Sequence, residues 1–502
     1  MANLKRYSRW FMRAEAMDPR DCFVSLAMTI VHGRAVVDIH ESSGLRYAAM
    51  AIGPPTGMRD WLPQEMLHRQ RLMETIGCVY RLYGYLPIDT PAMEDLAVLL
   101  GKGGGENEKL LFKILKRGEK LERAHATGEL ADYGLRFDLT VPLARFVASH
   151  QGQLPKVFRR YHIAPVWRAD RPQSGRYREF YQCDIDVIGG ASAAYECEII
   201  TATERVLAAL NLGPYRFRLS DKRLLPLLLR GLGVPEAQLA PITTLLDKLD
   251  KVDTAQVCSE ILTLLPQGSR ASKAVERFIR DADEMRRKEN GRQARVELFE
   301  GLWDKIEQPS IRAEVDEICH ALTTIMQAVC AITPHSSLTF DPILVRGMDY
   351  YTGPVYEAIV EGFSSAILGG GRYDDLIGRF LGKPVPAVGC SIGFERILAI
   401  LQERAAGQAT TVVPRALFIC DGQEAVQIQQ QAEHLRNAGL QVETYLDHDP
   451  VGKQFKYAET TGILWAIKSF NEDTSSLTVR HLPTRQDRIV SLAEFKTLLH
   501  AS

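Results

Sequence analysis

The chain has 502 residues, 46% of them hydrophobic and 25% charged, the proportions of a globular protein long enough to bury its own core. Lys and Arg number 61 against 62 Asp and Glu, a net charge of −1, which excludes a strongly basic nucleic-acid coat protein but leaves room for a local basic surface. No stretch approaches 18 consecutive apolar residues, so no membrane span is expected, and nine scattered cysteines without a C-x-x-C pair speak against a disulfide framework or structural zinc and for a reducing cytoplasm.

The length corresponds to roughly three domains. Residues 1–50 read differently from the rest. They are rich in Arg, as organelle targeting peptides are, but Glu15, Asp18 and Asp21 count against that reading. They are taken as a poorly ordered extension, or as sequence ahead of a true start at Met50. Regular structure is expected from Pro54. Pro63 suits the first turn of a helix, and Leu72, Ile76, Val79, Tyr80 and Tyr83 recur at helical spacing up to Gly84. Leu86–Thr90 reads as a strand stopped by Pro91. Residues 101–135 are rich in Gly and charge and read as a mobile loop beside a site.

Two strand candidates follow, Lys156–Ala169 and Arg178–Gly189, joined by a long polar tip into a hairpin. On the return strand Gln182, Asp184 and Asp186 share one face, and Cys183, Ile185 and Val187 the other. A polar face with two acids on such a strand suggests a floor open to a ligand, although a solvated sheet face would look the same. Arg168, at the end of the outgoing strand, is placed to clamp a phosphate through its planar guanidinium. The tip interleaves Arg171, Gln173, Arg176 and Arg178 with Tyr177, a composition suited to phosphate and base contacts.

Glu196–Leu210 reads as a helix, and Leu-rich helical periodicity dominates 220–335, an inserted helical domain. Strand patterns resume at Leu338–Val345 and Val355–Val360. Arg346 follows the first of these, and Tyr350 and Tyr351 offer aromatic walls and hydroxyls to a small ligand. Gly369-Gly370-Gly371 permits close backbone approach, and Arg396 falls in the first turn of a helix after the Val388–Ile392 strand. Neither a P-loop nor a Rossmann fingerprint is present. After a small-residue linker, strands at Ala416–Cys420, Val442–Leu446 and Ile463–Ile467 alternate with helices, a small α/β domain with a largely parallel sheet.

In this order the elements resemble the class II aminoacyl-tRNA synthetases, and within them the histidyl-tRNA synthetase family. The segment from Thr56 to Pro91 resembles motif 1, the hairpin Phe158–Asp186 motif 2, and Gly389–Arg396 motif 3. Leu344–Gly353 resembles the histidine-specific signature, and Arg136–Pro142 the R-x-D-L-T-x-P amino-acid-binding strand. The resemblance covers about residues 54–500. It implies an α+β catalytic domain with a mostly antiparallel sheet at 51–219 and 336–405, a helical insertion at 220–335, and a C-terminal α/β anticodon-binding-like domain at 412–502.

The resemblance also implies the chemistry. Asp138, Leu139, Thr140, Gln182, Asp186, Arg346, Tyr350 and Tyr351 would bind L-histidine. Arg168, Arg346 and Arg396 would hold ATP and act as the catalytic residues. Arg171, Gln173, Arg176 and Arg178 would meet the tRNA acceptor end. ATP serves as substrate with Mg2+, whose ligands the sequence leaves open, and the partners are histidine, ATP, tRNA and a second copy of the chain in a cytoplasmic homodimer. Two departures stand out: Ser469–Ser476 lacks the family's G-x-x-E pattern, and Asp138 replaces the Glu of many bacterial relatives. The competing reading is a non-catalytic histidine sensor resembling the regulatory subunit of ATP phosphoribosyltransferase, which usually lacks the C-terminal domain and has little need of three arginines.

Overall fold

The computed structural model describes residues 27–31, 34–38, 53–100, 106–172, 175–250, 252–287, 306, 308–344, 350–363, 365–405 and 415–501. The chain divides into two compact units, Met1–Glu403 and Arg404–Ser502. In the N-terminal extension, Ala27–Val31 and Arg34–Asp38 pair as antiparallel strands.

Eight strands form the centre of the first unit: β1 Leu86–Pro87, β2 Phe158–Trp167, β3 Glu179–Ile188, β4 Tyr215–Asp221, β5 Leu338–Phe340, β6 Pro354–Val360, β7 Leu368–Arg372 and β8 Ala387–Gly393. Their order is β5-β4-β6-β7-β8-β3-β2-β1. All neighbours are antiparallel except the outermost pairs, β5 with β4 and β1 with β2.

Strand alternation gives this sheet two unlike faces. Cys183, Ile185 and Val187 point into the main apolar core, against Ile76 and Tyr80 of helix Pro63–Leu82 and Ile199, Ile200 and Val206 of helix Ala194–Ala209. The first of these helices starts at its proline, and Glu65 accepts the Leu62 N–H at 3.2 Å. The opposite face is polar. Between β4 and β5 the chain leaves the sheet for the helical insertion, which includes Leu224–Gly231, Glu236–Leu246, Thr254–Thr263, Arg270–Arg287 and Pro309–Ile332. The last helix has the length and hydropathy of a membrane span, and buries Val315, Ile318, Leu322, Ile325 and Val329 as a stripe at helical spacing.

Three expectations are corrected. Residues 106–135 are not a loop: Met93–Asp95, Lys113–Leu115 and Ala131–Leu135 form a three-stranded sheet, with helix Glu119–Thr127 between its last two strands. Charged residues alternate with Leu111, Ile114 and Ala124 there, enough apolar surface to fold a short segment. Gly369-Gly370-Gly371 lies inside strand β7, where Gly370 and Gly371 have neighbours too close for a Cβ. The R-x-D-L-T-x-P segment is not a strand: the preceding strand ends at Leu135, and helix Thr140–Ser149 begins within the motif. In the second unit, Val442–Thr444, Ala416–Phe418 and Trp465–Asn471 are parallel, but Ser476–His481 and Gln486–Ser491 add an antiparallel meander. Leu477 and Val479 are its buried alternate residues.

A Cβ at Gly370 would collide with the Gly389 carbonyl and the Tyr356 ring, both fixed in the core. Gly370→Ala is expected to cost about 1–3 kcal/mol by overpacking. Urea unfolding should show a lower midpoint for the first unit's transition and no change for the second unit's.

Candidate active site

The polar face of the sheet carries the chemistry, and the pairing registers place it. His162, Asp184, Ser391, Gly369, Glu357, Arg218 and Thr339 lie in one row across six strands and on to β5. The next row runs through Arg160, Asp186, Gly389, Gly371, Val355 and Ser220. A cavity of about 530 Å3 opens on this face, within the usual range for a small-molecule site. Glycine makes the room. A Cβ at Gly389 would strike Asp186, whereas one at Gly369 would meet nothing nearer than the Tyr356 carbonyl at 3.9 Å and would project into the cavity.

Asp138, Thr140, Gln182, Asp186, Tyr350 and Tyr351 all line the cavity, as do Arg168, Arg176 and Arg396. Leu139 is fully buried against Ala164, Val166 and Phe180, so its side chain serves the core. Asp138 Oδ1 accepts the Val141 N–H at 3.0 Å, which fixes the carboxylate at the helix start. Burial raises its pKa to about 6, against the pull of Arg168 and Arg160. Asp186 accepts the Tyr373 hydroxyl and lies 2.6 Å from Arg160, itself fully buried. Gln182 Nε2 donates to Ser391 Oγ at 2.8 Å. Tyr350 meets Tyr351 edge-on with centroids 5.1 Å apart and Tyr373 at 5.8 Å, forming an aromatic wall. Arg346 and Gln173 lie outside the described residues.

Two arginines stand at the rim. Arg168 Nε donates to the Phe137 carbonyl at 3.0 Å, and its guanidinium lies 5.1 Å from the Phe180 ring centroid. Arg396, exposed in the first turn of helix Phe394–Ala405, donates to the Ala366 carbonyl. The hairpin tip divides in two. Arg171 and Arg176 are exposed, Arg176 pairing with Asp170 at 2.9 Å. Arg178 is turned inward: its backbone N–H donates to Gly57 at 2.7 Å and its side chain to the carbonyls of Asp170 and Thr56. Gly57 has φ +86° and no room for a Cβ beneath Arg178, so this turn requires glycine.

Several site residues escaped the sequence reading. Arg160 and His162 share the polar face by the same alternation that places Asp184. Tyr373 was visible only as the neighbour of a glycine cluster. The buried pair Arg69–Glu395, 2.9 Å apart, joins helix Pro63–Leu82 to the helix bearing Arg396, and Glu395 also accepts the Tyr181 N–H. No local pattern announces a contact between residues so far apart in the chain.

His162 Nε2 contacts Asp89 Oδ1 at 2.9 Å. Burial first, then the charges of Arg160 and Arg136, depress its pKa from 6.5 to about 3. The unfolded chain takes up this proton below about 6.5 and the fold only near 3, so the stability held above 6.5 is lost as pH falls through that window. Asp138, raised from 3.8 to about 6, works in the opposite direction between those values. The readout is therefore the difference between variants: His162→Asn should flatten the fall in unfolding free energy between pH 6.5 and 3 relative to the parent chain.

A family model described as histidyl-tRNA synthetase matches residues 57–397, and one described as an anticodon binding domain matches residues 418–501. The histidine–tRNA ligase of Leifsonia xyli is 43% identical over 360 residues, covering 70% of this chain and 81% of that protein. The histidine–tRNA ligase of Rhodopirellula baltica is 34% identical over 456 residues, covering 87% and 94%. Among solved structures, the histidyl-tRNA synthetase of Nostoc sp. PCC 7120 superposes with a TM-score of 0.70 at 26% identity, over 89% of this chain and all of that one. With its mixed sheet, helical insertion and separate C-terminal unit, the chain belongs to the histidyl-tRNA synthetase family.

Proposed function

We propose that the chain activates L-histidine with ATP and transfers the histidyl group to the terminal ribose of its tRNA. The observation that carries this reading is the joining of an acceptor-lined, aromatic-walled pocket to rim arginines on one sheet face, in a chain that also has the anticodon-domain match. Asp138, Thr140, Gln182 and Asp186 hold the amino acid, with Tyr350 and Tyr351 around its imidazole. A neutral imidazole is both donor and acceptor, so a pocket offering a carboxylate and phenols leaves buried groups unpaired when an analogue lacks a ring nitrogen.

A carboxylate oxygen of histidine attacks the α-phosphorus, the bond to the β-phosphate oxygen breaks, and pyrophosphate leaves. The tRNA ribose hydroxyl then attacks the activated carbonyl and AMP departs. No protein nucleophile is required, so catalysis is positioning and charge neutralisation. Arg168 acts at the α-phosphate and Arg396 near the γ-phosphate, with Arg346 as the third catalytic arginine. Mg2+ arriving with the triphosphate would supply further charge neutralisation at its phosphates.

The exposed tip residues Arg171 and Arg176, with Gln173, meet the acceptor end, and Arg178 shapes the tip from within. The domain limits at 51–219 with 336–405, 220–335 and 412–502 belong to this reading, as does a cytoplasmic location. A homodimer is supported by apolar surface near motif 1: Met93 and Tyr133, on one face of the small sheet, are 47% and 44% exposed, and Leu115, Leu82 and Leu86 are exposed as well. The non-catalytic sensor reading is disfavoured by the curated relatives and the second domain.

In histidine-dependent pyrophosphate–ATP exchange, Arg168→Ala and Arg396→Ala should each lower kcat about 100- to 1,000-fold, the usual cost of removing one preorganised charge donor. Activity within threefold of the parent for both variants would contradict their assigned roles.

A further inference from the structure

On the floor of the cavity three carboxylates, Asp138, Asp184 and Asp186, each 2% exposed, face one fully buried guanidinium, Arg160, and the half-buried Arg168. His162 is held neutral by its burial and by the charges of Arg160 and Arg136. With the acids ionised, one negative charge is left over, and a buried excess charge calls for a cation. Unmet hydrogen-bonding capacity accompanies this charge: the Arg160 nitrogens, which face Asp186 and Asp184, have no hydrogen bond, and neither has Asp186 Oδ2. Asp138 Oδ2, Gln182 Oε1 and Asp184 Oδ1 are buried acceptors without a partner, on residues only 2%, 9% and 2% exposed.

The neighbours separate acceptors already in use from those that are not. Gln182, which lines the cavity, commits its Nε2 to Ser391, while its Oε1 has no partner. The Ser391 hydroxyl bonds Asp184 in turn. Asp186 is already engaged by Tyr373 and by Arg160 at 2.6 Å, whereas Asp184 stands 3.8 Å from Arg160. Thr140, which the family resemblance names for the amino group, is hydrogen-bonded to Tyr350. We propose that Asp184 is a third acceptor for the α-ammonium of the amino acid, so that Asp138, Gln182 and Asp184 each take one of its three N–H donors. This rests on the reading of the cavity as an amino-acid pocket. Burial raises the Asp184 pKa in the ligand-free protein, and an ammonium beside it supplies the charge that lowers it again.

The test compares two histidine analogues by calorimetry on the full chain. Histamine keeps the ammonium and lacks the carboxylate, while imidazolepropionate keeps the carboxylate and lacks the ammonium. For Asp184→Asn, histamine binding should weaken at least tenfold and imidazolepropionate binding should change less than twofold. In pyrophosphate exchange the histidine KM should rise at least tenfold, with the ATP KM within twofold. Asp184→Ser, which removes the charge with less bulk, should reproduce the pattern if the amide variant folds poorly, and Asp184→Glu should restore the preference for histamine. Equal weakening of both analogues, as a structural or ring-binding role would give, overturns the proposal, and so does no change in either. A parent chain that binds histidine but exchanges no pyrophosphate would refute the ligase reading, while the analogue comparison would still decide the role of Asp184.

Discussion

A sheet face that is buried and charged at once governs the rest of this structure. Arg160, His162, Asp184 and Asp186 project from two neighbouring strands of an eight-stranded sheet and are all almost fully enclosed. Burying an ionised carboxylate costs several kcal/mol unless it is paired and hydrogen-bonded. Arg160 and Tyr373 meet that need for Asp186, but Asp138 Oδ2, Gln182 Oε1 and Asp184 Oδ1 keep unused capacity. Partial satisfaction of this kind is unfavourable for folding alone. It is what a polar ligand completes, and a wrong ligand fails to complete it.

The remainder of the first unit holds that face in shape. Cys183, Ile185 and Val187, the alternate residues of the same strand, anchor it to two helices from behind. Gly369, Gly371 and Gly389 let two strands pass beneath the cavity without filling it. Arg69 and Glu395 tie helix Pro63–Leu82 to the helix bearing Arg396, so the cavity rim moves with the core rather than as a loop. Further along the sheet, Arg218 bridges Glu357, which lines the cavity, to Asp250 of the insertion at 3.0 Å and to Asp341 at 3.1 Å. The insertion is thus joined to the site by buried ion pairs.

Local periodicity made the long strands, the helices and the two-faced character of Glu179–Ile188 legible, because alternation is a local property. The short strands around Lys113–Leu115 were not legible: three residues carry too little pattern, and a high density of charge hid the apolar residues between them. Strand β7 was obscured by glycine, whose presence there reflects neighbours distant in sequence. Most site residues could be named from motif resemblance, yet Leu139 turned out to serve the core and Arg178 to brace the hairpin. Arg160 and His162 became visible through cross-strand register, and Tyr373 through its hydrogen bond to Asp186. Alternation alone grouped Asp184 with Gln182 and Asp186, but only the three-dimensional inventory of partners distinguishes an acceptor in use from one in waiting.

The central claim is that one face of the antiparallel sheet binds an aminoacyl-adenylate, with amino acid over β3 and nucleotide toward Gly369 and the rim arginines. The most direct measurement is a crystal structure of the full chain with a non-hydrolysable histidyl-adenylate analogue. The account predicts the amino acid among Asp138, Gln182 and Tyr350, the adenosine above Gly369, and the phosphate mimic beside Arg168. An analogue bound elsewhere, or one whose amino acid points away from β3, would contradict it.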